Sequence, residues 1–219
     1  VRLAESVEEI EAAQRLRYKV FYEEYAATPS PEMVQARRDM DSFDALADHL
    51  VVVDTSRPAG SDDRIVGTYR LLRRDVAEKH GHFYTSDEYD IQHLLKRSQS
   101  PLELGRSCVQ AEFRTKPVLQ KLWEGIATYV ADHHIDLIFG CASLHGTDVG
   151  ALSKQLAYLY HYHLAPPDMR PRAVAGRYVD MNLHAKDDLN VRAVFTDLPP
   201  LIKGYLRLGA MVGKGAVID

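Results

Sequence analysis

The chain has 219 residues, 46% of them hydrophobic and 26% charged, proportions usual for a globular protein and length enough to bury a core in one or two domains. This excludes a disordered, collagen-like or disulfide-stapled chain, and no run approaches the ~20 apolar residues of a membrane span. A net charge of -4 argues against general affinity for nucleic-acid phosphate, although local basic clusters can still meet an acidic partner.

The first predicted element opens at Ser6-Val7-Glu8-Glu9, a capping box. Val7, Ile10, Ala13, Leu16, Val20 and Phe21 follow at helical spacing to about Tyr25, and Thr28-Pro29-Ser30-Pro31 ends the helix. A charged, partly irregular stretch runs through Asp44. Residues 49–54 and 65–72 are β-branched and apolar around a turn-rich Pro58–Asp63, which predicts an antiparallel hairpin. Residues 75–100 are polar, with a short helix near 91–96. Residues 102–109 read as a central strand, about 117–133 as a helix and 136–144 as a strand, a unit that places two near-parallel strands side by side. Thr147 or Asp148 can cap a further helix to about Tyr162. A strand over Arg172–Leu183 and a helix over Leu198–Leu208 complete one α/β domain, residues 1–219. Two cysteines, Cys108 and Cys141, fit a reducing compartment; with no signal peptide visible, the expectation is a cytoplasmic protein.

Three carboxylates crowd Asp39-Met-Asp41-Ser-Phe-Asp44, and carboxylates that close repel unless cations or amide donors sit nearby. Alone, the segment reads first as a solvated, capping-rich loop. The glycine and closing glutamate of a calcium loop are missing. Glu103 and Arg106 fall on the buried central strand, where a lone carboxylate pays heavily for desolvation and needs a cationic partner. Three residues apart, they point to opposite faces unless a bulge re-aims one, and Gly105 offers the place for it. A structural ion pair and a functional one are equally open on this reading.

Cys141, Ser143 and His145 would share a face if the strand persisted, but neither Gly140–Asp148 nor Gly105–Val109 has the G-x-S-x-G spacing of a nucleophile elbow. The segment is read as pocket lining and a helix cap. The ten histidines form no HExxH pattern, and no paired CxxC accompanies them, so no metal is expected. Gln110–Lys116 leads into a helix N-terminus whose free amides, with Arg114 and Lys116, suit a single phosphodiester.

The order of elements resembles the GNAT-like (acyl-CoA N-acyltransferase) fold, a mixed central sheet flanked by helices. Arg17-Tyr-Lys-Val-Phe21, Asp39-x-Asp41-x-x-Asp44, Gly67-Thr-Tyr-Arg-Leu-Leu72 and Glu103-Leu-Gly-Arg106 are similar in order and spacing to the acyl-homoserine-lactone synthases. The tryptophan usual in those synthases after the first helix is absent, with Tyr25 the nearest aromatic, and Asp39 stands where they carry glutamate. Leu102–Val109, Phe139–Asp148 and Leu198–Gly209 look more like the ornithine–acyl-carrier-protein N-acyltransferases, and this resemblance spans nearly the whole chain.

The resemblance implies transfer of a 3-hydroxyacyl chain from the phosphopantetheine arm of acyl carrier protein to the α-amine of ornithine, giving lyso-ornithine lipid, with no further cofactor. Glu103 would be the base beside Arg106, and backbone amides at Ser107, Cys108 and Val109 would receive the oxyanion. Arg17, Phe21, Asp39, Asp41, Asp44 and Arg70 would shape the acceptor end through a charge network, with Ser143 and His145 lining the pocket. Arg114, Lys116 and Lys121 would face the acidic carrier protein. Two alternatives stay open: another amine acceptor (a different amino acid, or S-adenosylmethionine with lactone formation), or a non-catalytic carrier- or lipid-binding module. Leu201, Ile202, Tyr205 and Leu208 recur at helical spacing beside Lys203 and Arg207, which fits peripheral contact with the inner face of the cytoplasmic membrane or equally a core-packed helix. Related chains continue into more strand, so a C-terminal strand or tail is expected after Asp219.

Overall fold

In the computed structural model, which describes every residue except Ala59, Thr115, Asp219 and the side chain of Lys116, the elements follow in chain order. They are β1 (Arg2–Leu3), α1 (Val7–Tyr18) continued by a π-helical turn (Lys19–Glu24), α2 (Pro31–Ala36), β2 (Asp48–Val53), β3 (Ile65–Arg73), α3 (Arg74–His80), β4 (Tyr89–Asp90), α4 (Gln92–Arg97), β5 (Pro101–Val109), α5 (Lys116–Asp132), β6 (Leu137–Phe139), α6 (Ser153–His163), β7 (Arg172–Ala173), α7 (Val191–Asp197) and α8 (Pro200–Arg207). They group into two compact units: Val1–Tyr84 with Ser100–Gly140, and Thr85–Gln99 with Cys141–Asp219.

The first unit is built on a five-stranded sheet in the order β1-β2-β3-β5-β6. All pairs are antiparallel except β5 with β6, which makes the mixed sheet expected from sequence. α1 starts where the Ser6 hydroxyl accepts from the Glu9 amide. Glu9 does not reach back to the cap residue as a full capping box would; its carboxylate accepts from the Glu5 amide at 2.9 Å and pairs with Arg2. Ala12, Ala13, Leu16 and Val20 pack with Val51, Ile65 and Cys108, the stripe that an amphipathic helix buries against a sheet. α5 covers the opposite pleat, where Gly67 looks onto Val118 and Leu122. A Cβ on Gly125 of α5 would come within 2.9 Å of the Leu50 side chain, so only glycine lets the helix lie this close to β2.

β5 carries the bulge on which the Glu103–Arg106 reading depended. Arg70 of β3 faces Gly105 and Thr68 faces Cys108, so three steps on β5 answer two on β3. The extra residue falls at Arg106, which adopts φ +50°, a left-handed conformation that a non-glycine residue holds only when its surroundings insist. Arg106 thereby turns onto the face that carries Glu103 and Arg70.

Two predicted strands are shorter than expected. The strand predicted over 136–144 pairs with β5 only from Leu137 to Phe139, opposite Pro101–Glu103. Beyond that point β5 bulges and the ladder ends. Arg172–Leu183 contributes only β7, paired with β4. The helix expected from Thr147 starts at Ser153 instead, because the Asp148 carboxylate caps a separate turn through the amides of Gly150 and Ala151. α3 had no apolar signature, since only Ala77 in it is buried. In the second unit α6, α7 and α8 enclose a core of Leu156, Ala157, Leu159, Met181, Val194, Leu198 and Ile202.

Candidate active site

At the end of α1, Arg17 is fully buried and meets two of the three carboxylates that follow α2. Its Nε lies 2.7 Å from Asp39 Oδ2, and its Nη atoms reach Asp44 at 2.5 and 3.0 Å. Arg70, from the centre of β3, bonds Asp41 at 2.6 Å and Asp44 at 3.0 Å through Nη1. Arg106, turned in by the bulge, stands 3.5 Å from Asp39 and 3.4 Å from Asp41. Three arginines thus neutralise three aspartates. Gln14 donates to Asp44 at 3.0 Å, Tyr22 donates to Asp39 at 2.8 Å, and His49 donates Nε2–H to the Asp44 carbonyl at 2.9 Å.

Burial alone would push the Asp44 carboxyl up, but Arg17 and then Arg70 outweigh it and hold it well below the usual carboxylate range. Asp41 is likewise lowered: burial opposes and Arg70 prevails, Asp44 pushes it back and Arg106 adds to the lowering. Burial works against the Arg106 cation, yet Asp39 and Asp41 raise its pKa overall. Burial and Asp39 push the Tyr22 phenol up. Asp41, Asp44 and Arg106 are therefore charged at neutral pH, while Tyr22 remains a donor. Such a network is costly to desolvate and adds little net stability, so its presence asks for another explanation.

The network has an inside and a mouth. Arg17, Asp39, Asp44 and Arg70 are buried, whereas the side chains of Asp41 and Arg106 keep 20% and 22% exposure. Within the described network, that is where a solute can meet a carboxylate and a guanidinium side by side. Tyr84 frames the mouth: the Arg106 guanidinium lies 4.9 Å over its ring, and its amide donates to Glu103 Oε2 at 2.9 Å. Glu103 is 3% exposed, held on the same face. From Leu104 to Val109, β5 pairs with β3 on one side only among the described residues. The backbone at Ser107, Cys108 and Val109 therefore runs along an edge that β6 leaves unclaimed. Cys108 itself is buried, which pushes its thiol up to about 12, too high for a nucleophile.

The other expected residues are not members of this network. Phe21 packs with the apolar cluster under α1. Arg114 turns its guanidinium to the Glu24 carboxylate, its Nε to the Val109 carbonyl at 3.0 Å and its face to Tyr25. Lys121 pairs with Glu124 at 2.6 Å, and the Lys116 side chain lies outside the described part. The cations expected to face a carrier protein are thus matched with acids where they are described. Ser143 and His145 are exposed in the second unit and, with Cys141, do not share a strand face, because β6 stops at Phe139. Among the described residues no group of three His, Cys, Asp or Glu side chains can hold a metal. Tyr84, Tyr22 and Gln14 escaped the sequence reading: isolated polar residues in periodic or turn-rich stretches carry no local signal of a partner remote in sequence.

A family model described as an acetyltransferase (GNAT) domain matches residues 16–124, the span that holds every member of the network except Gln14. A relative named L-ornithine N(alpha)-acyltransferase from Brucella abortus is 48% identical over all of this chain and 79% of its own length. Proteins of the same name from Rhodobacter capsulatus and Rhizobium meliloti are 47% and 46% identical, again over the whole chain and over 84% and 74% of their own lengths. The chain belongs to the L-ornithine N(alpha)-acyltransferase family. It is therefore an acyltransferase, and its mixed five-stranded sheet is GNAT-like. Among solved structures the crystal structure of the AHL synthase LasI is a distant likeness, at 14% identity and TM-score 0.44 over 76% of this chain and 81% of that one.

Proposed function

We propose that this acyltransferase moves a 3-hydroxyacyl chain from the phosphopantetheine thioester of acyl carrier protein to the α-amine of ornithine, releasing lyso-ornithine lipid and carrier thiol. The observation that carries the acceptor end is the partly exposed pair Asp41–Arg106 at the mouth of an otherwise buried, neutral network. A free amino acid presents an ammonium and a carboxylate, and a fixed carboxylate beside a fixed guanidinium complements both. The names of the relatives support ornithine in particular.

For attack, the α-ammonium gives a proton to Glu103, directly or through one water, and its lone pair adds to the thioester carbon. The amides along the unpaired edge of β5 receive the oxyanion. Collapse of the tetrahedral species breaks the C–S bond, and the departing thiolate takes up the second proton that the attacking nitrogen loses as it becomes the amide. No acyl-enzyme is formed, in keeping with a Cys108 thiol pushed up to about 12. No cofactor is invoked beyond the donor's own phosphopantetheine.

The test offers purified 3-hydroxyacyl carrier protein together with a panel of amino acids and reads amides by mass spectrometry. The expected product is the ornithine amide alone, and Glu103→Gln lowers kcat by about 10²-fold or more, the usual share of general-base catalysis. A dominant amide of another amino acid would replace the acceptor, and full turnover by Glu103→Gln would remove the base.

A further inference from the structure

The second unit holds a turn whose polarity is inverted. α8 buries Ile202 and rests Leu206 on the core shared with α6 and α7. From Arg207 to Met211 every residue is exposed, and two of them are large and apolar, Leu208 at 67% and Met211 at 61% exposure. The turn is not slack. The amides of Leu208 and Ala210 both donate to the Tyr205 carbonyl at 3.0 Å, and that of Gly209, at φ +88°, donates to Leu206 at 3.1 Å. Val212 then clamps the chain to the end of α6, donating to His163 at 2.8 Å and accepting from Ala165 at 2.9 Å. The backbone thus holds both apolar side chains outward.

The segment that carries the turn is basic. Leu198–Ile218, lying between Asp197 and Asp219, contains Lys203, Arg207 and Lys214 and no acid of its own, although the whole protein carries -4. We propose that the Arg207–Met211 turn is a membrane-surface anchor, with Leu208 and Met211 entering the acyl boundary of a bilayer that contains anionic phospholipid and Arg207 and Lys214 meeting its headgroups. Apolar tips flanked by cations are what such a surface rewards. An acidic protein partner would instead call for a row of exposed cations, and the Lys203 ammonium is already engaged by the Thr196 carbonyl at 3.0 Å. The face differs from the one the helical pattern offered, since Ile202 is buried and the exposed apolar groups lie past the helix end. The inference deepens the proposed function, because lyso-ornithine lipid is an amphiphile that a bilayer takes up; vesicle binding needs no turnover, so each idea fails by its own measurement.

The experiment floats the full chain with vesicles of phosphatidylcholine mixed with phosphatidylglycerol, and with vesicles of phosphatidylcholine alone. The protein is expected to float with the mixed vesicles, less with the neutral ones, and less as salt rises. Replacing both Leu208→Ser and Met211→Ser should lower the partition coefficient about tenfold or more, from the transfer of the lost apolar groups. Arg207→Gln should lower it roughly fivefold. A wild-type chain that stays with the soluble fraction, or a double variant that floats equally well, overturns the proposal. As a second reading, a polarity-sensitive dye on Met211→Cys in a Cys141→Ser background should shift to the blue on mixed vesicles, and an unchanged emission overturns it as well. If the double variant floats normally but loses self-association or carrier-protein binding, the turn serves a protein partner and the membrane assignment falls.

Discussion

Asp44→Asn tests whether the buried end of the network supports the mouth. The substitution keeps the shape of a side chain that is 4% exposed but removes the charge that meets Arg17 at 2.5 and 3.0 Å and Arg70 at 3.0 Å. Arg17, fully buried, then keeps only Asp39 as a charged partner, and the network gains one uncompensated positive charge. Removing one member of a buried pair costs about 3–5 kcal/mol, a large part of a total stability of about 5–15 kcal/mol. At about 2–4 °C per kcal/mol for a chain of this size, Tm should fall by roughly 6–20 °C. Calorimetry or urea unfolding, read with the Michaelis constant for the acceptor, gives the answer. Asp41→Asn should do the opposite, raising the acceptor KM about tenfold or more with a smaller loss of stability, because its side chain is already 20% exposed. An Asp44→Asn protein as stable as wild type would refute the division into a buried support and an exposed mouth. Recovery of stability in an Arg17→Met, Asp44→Leu pair would agree with it, since apolar replacement of both partners relieves desolvation.

Acid should weaken the fold through the same residues. Asp41 and Asp44 have folded-state pKa values below their unfolded values, so their contribution is complete above the ordinary carboxylate range near pH ~4 and is lost as pH falls below it; wild-type Tm should drop there more steeply than that of Asp44→Asn. Native thiol labelling near pH 8 should modify Cys141, which is exposed, and spare Cys108, whose thiol burial pushes up to about 12; two labels per native chain would contradict the packing under α1. Arg106→Gly should cost less stability than Asp44→Asn, because the Arg106 side chain is 22% exposed and glycine takes the left-handed conformation at no steric cost, while the acceptor KM rises about tenfold or more. Arg106→Lys should not restore it, because an ammonium cannot offer the planar fork; full activity in either variant would remove Arg106 from the mouth.

The parts legible in the sequence were those whose signals are local. β-branched runs marked β2 and β3, Leu102–Val109 marked β5, and apolar residues at helical spacing marked α1 and α5, because each such pattern must be buried by the period of its own element. The charges at Asp39, Asp41, Asp44, Glu103 and Arg106 stood out as groups that need partners. The boundaries that went astray had non-local causes. β6 ends at Phe139 because its neighbour bulges, and α6 starts late because Asp148 caps a turn of its own.

The sequence by itself therefore determined α1, the β2–β3 hairpin, β5 and α5, the mixed sheet and the supply of ionic residues, but not β1, α2, α3 or β4. Tertiary structure decided which charges meet, since Arg17 and Asp44 are 27 positions apart and Arg106 and Asp41 are 65 apart. It also decided which pair faces solvent. Burial is set by everything packed around a side chain, and no local pattern distinguishes Asp41 at the mouth from Asp39 and Asp44 behind it. The bulge at Arg106 shows the dependence most directly: one extra residue in β5, accommodated only against β3, turns a side chain that strand periodicity aims away from Glu103 onto the same face.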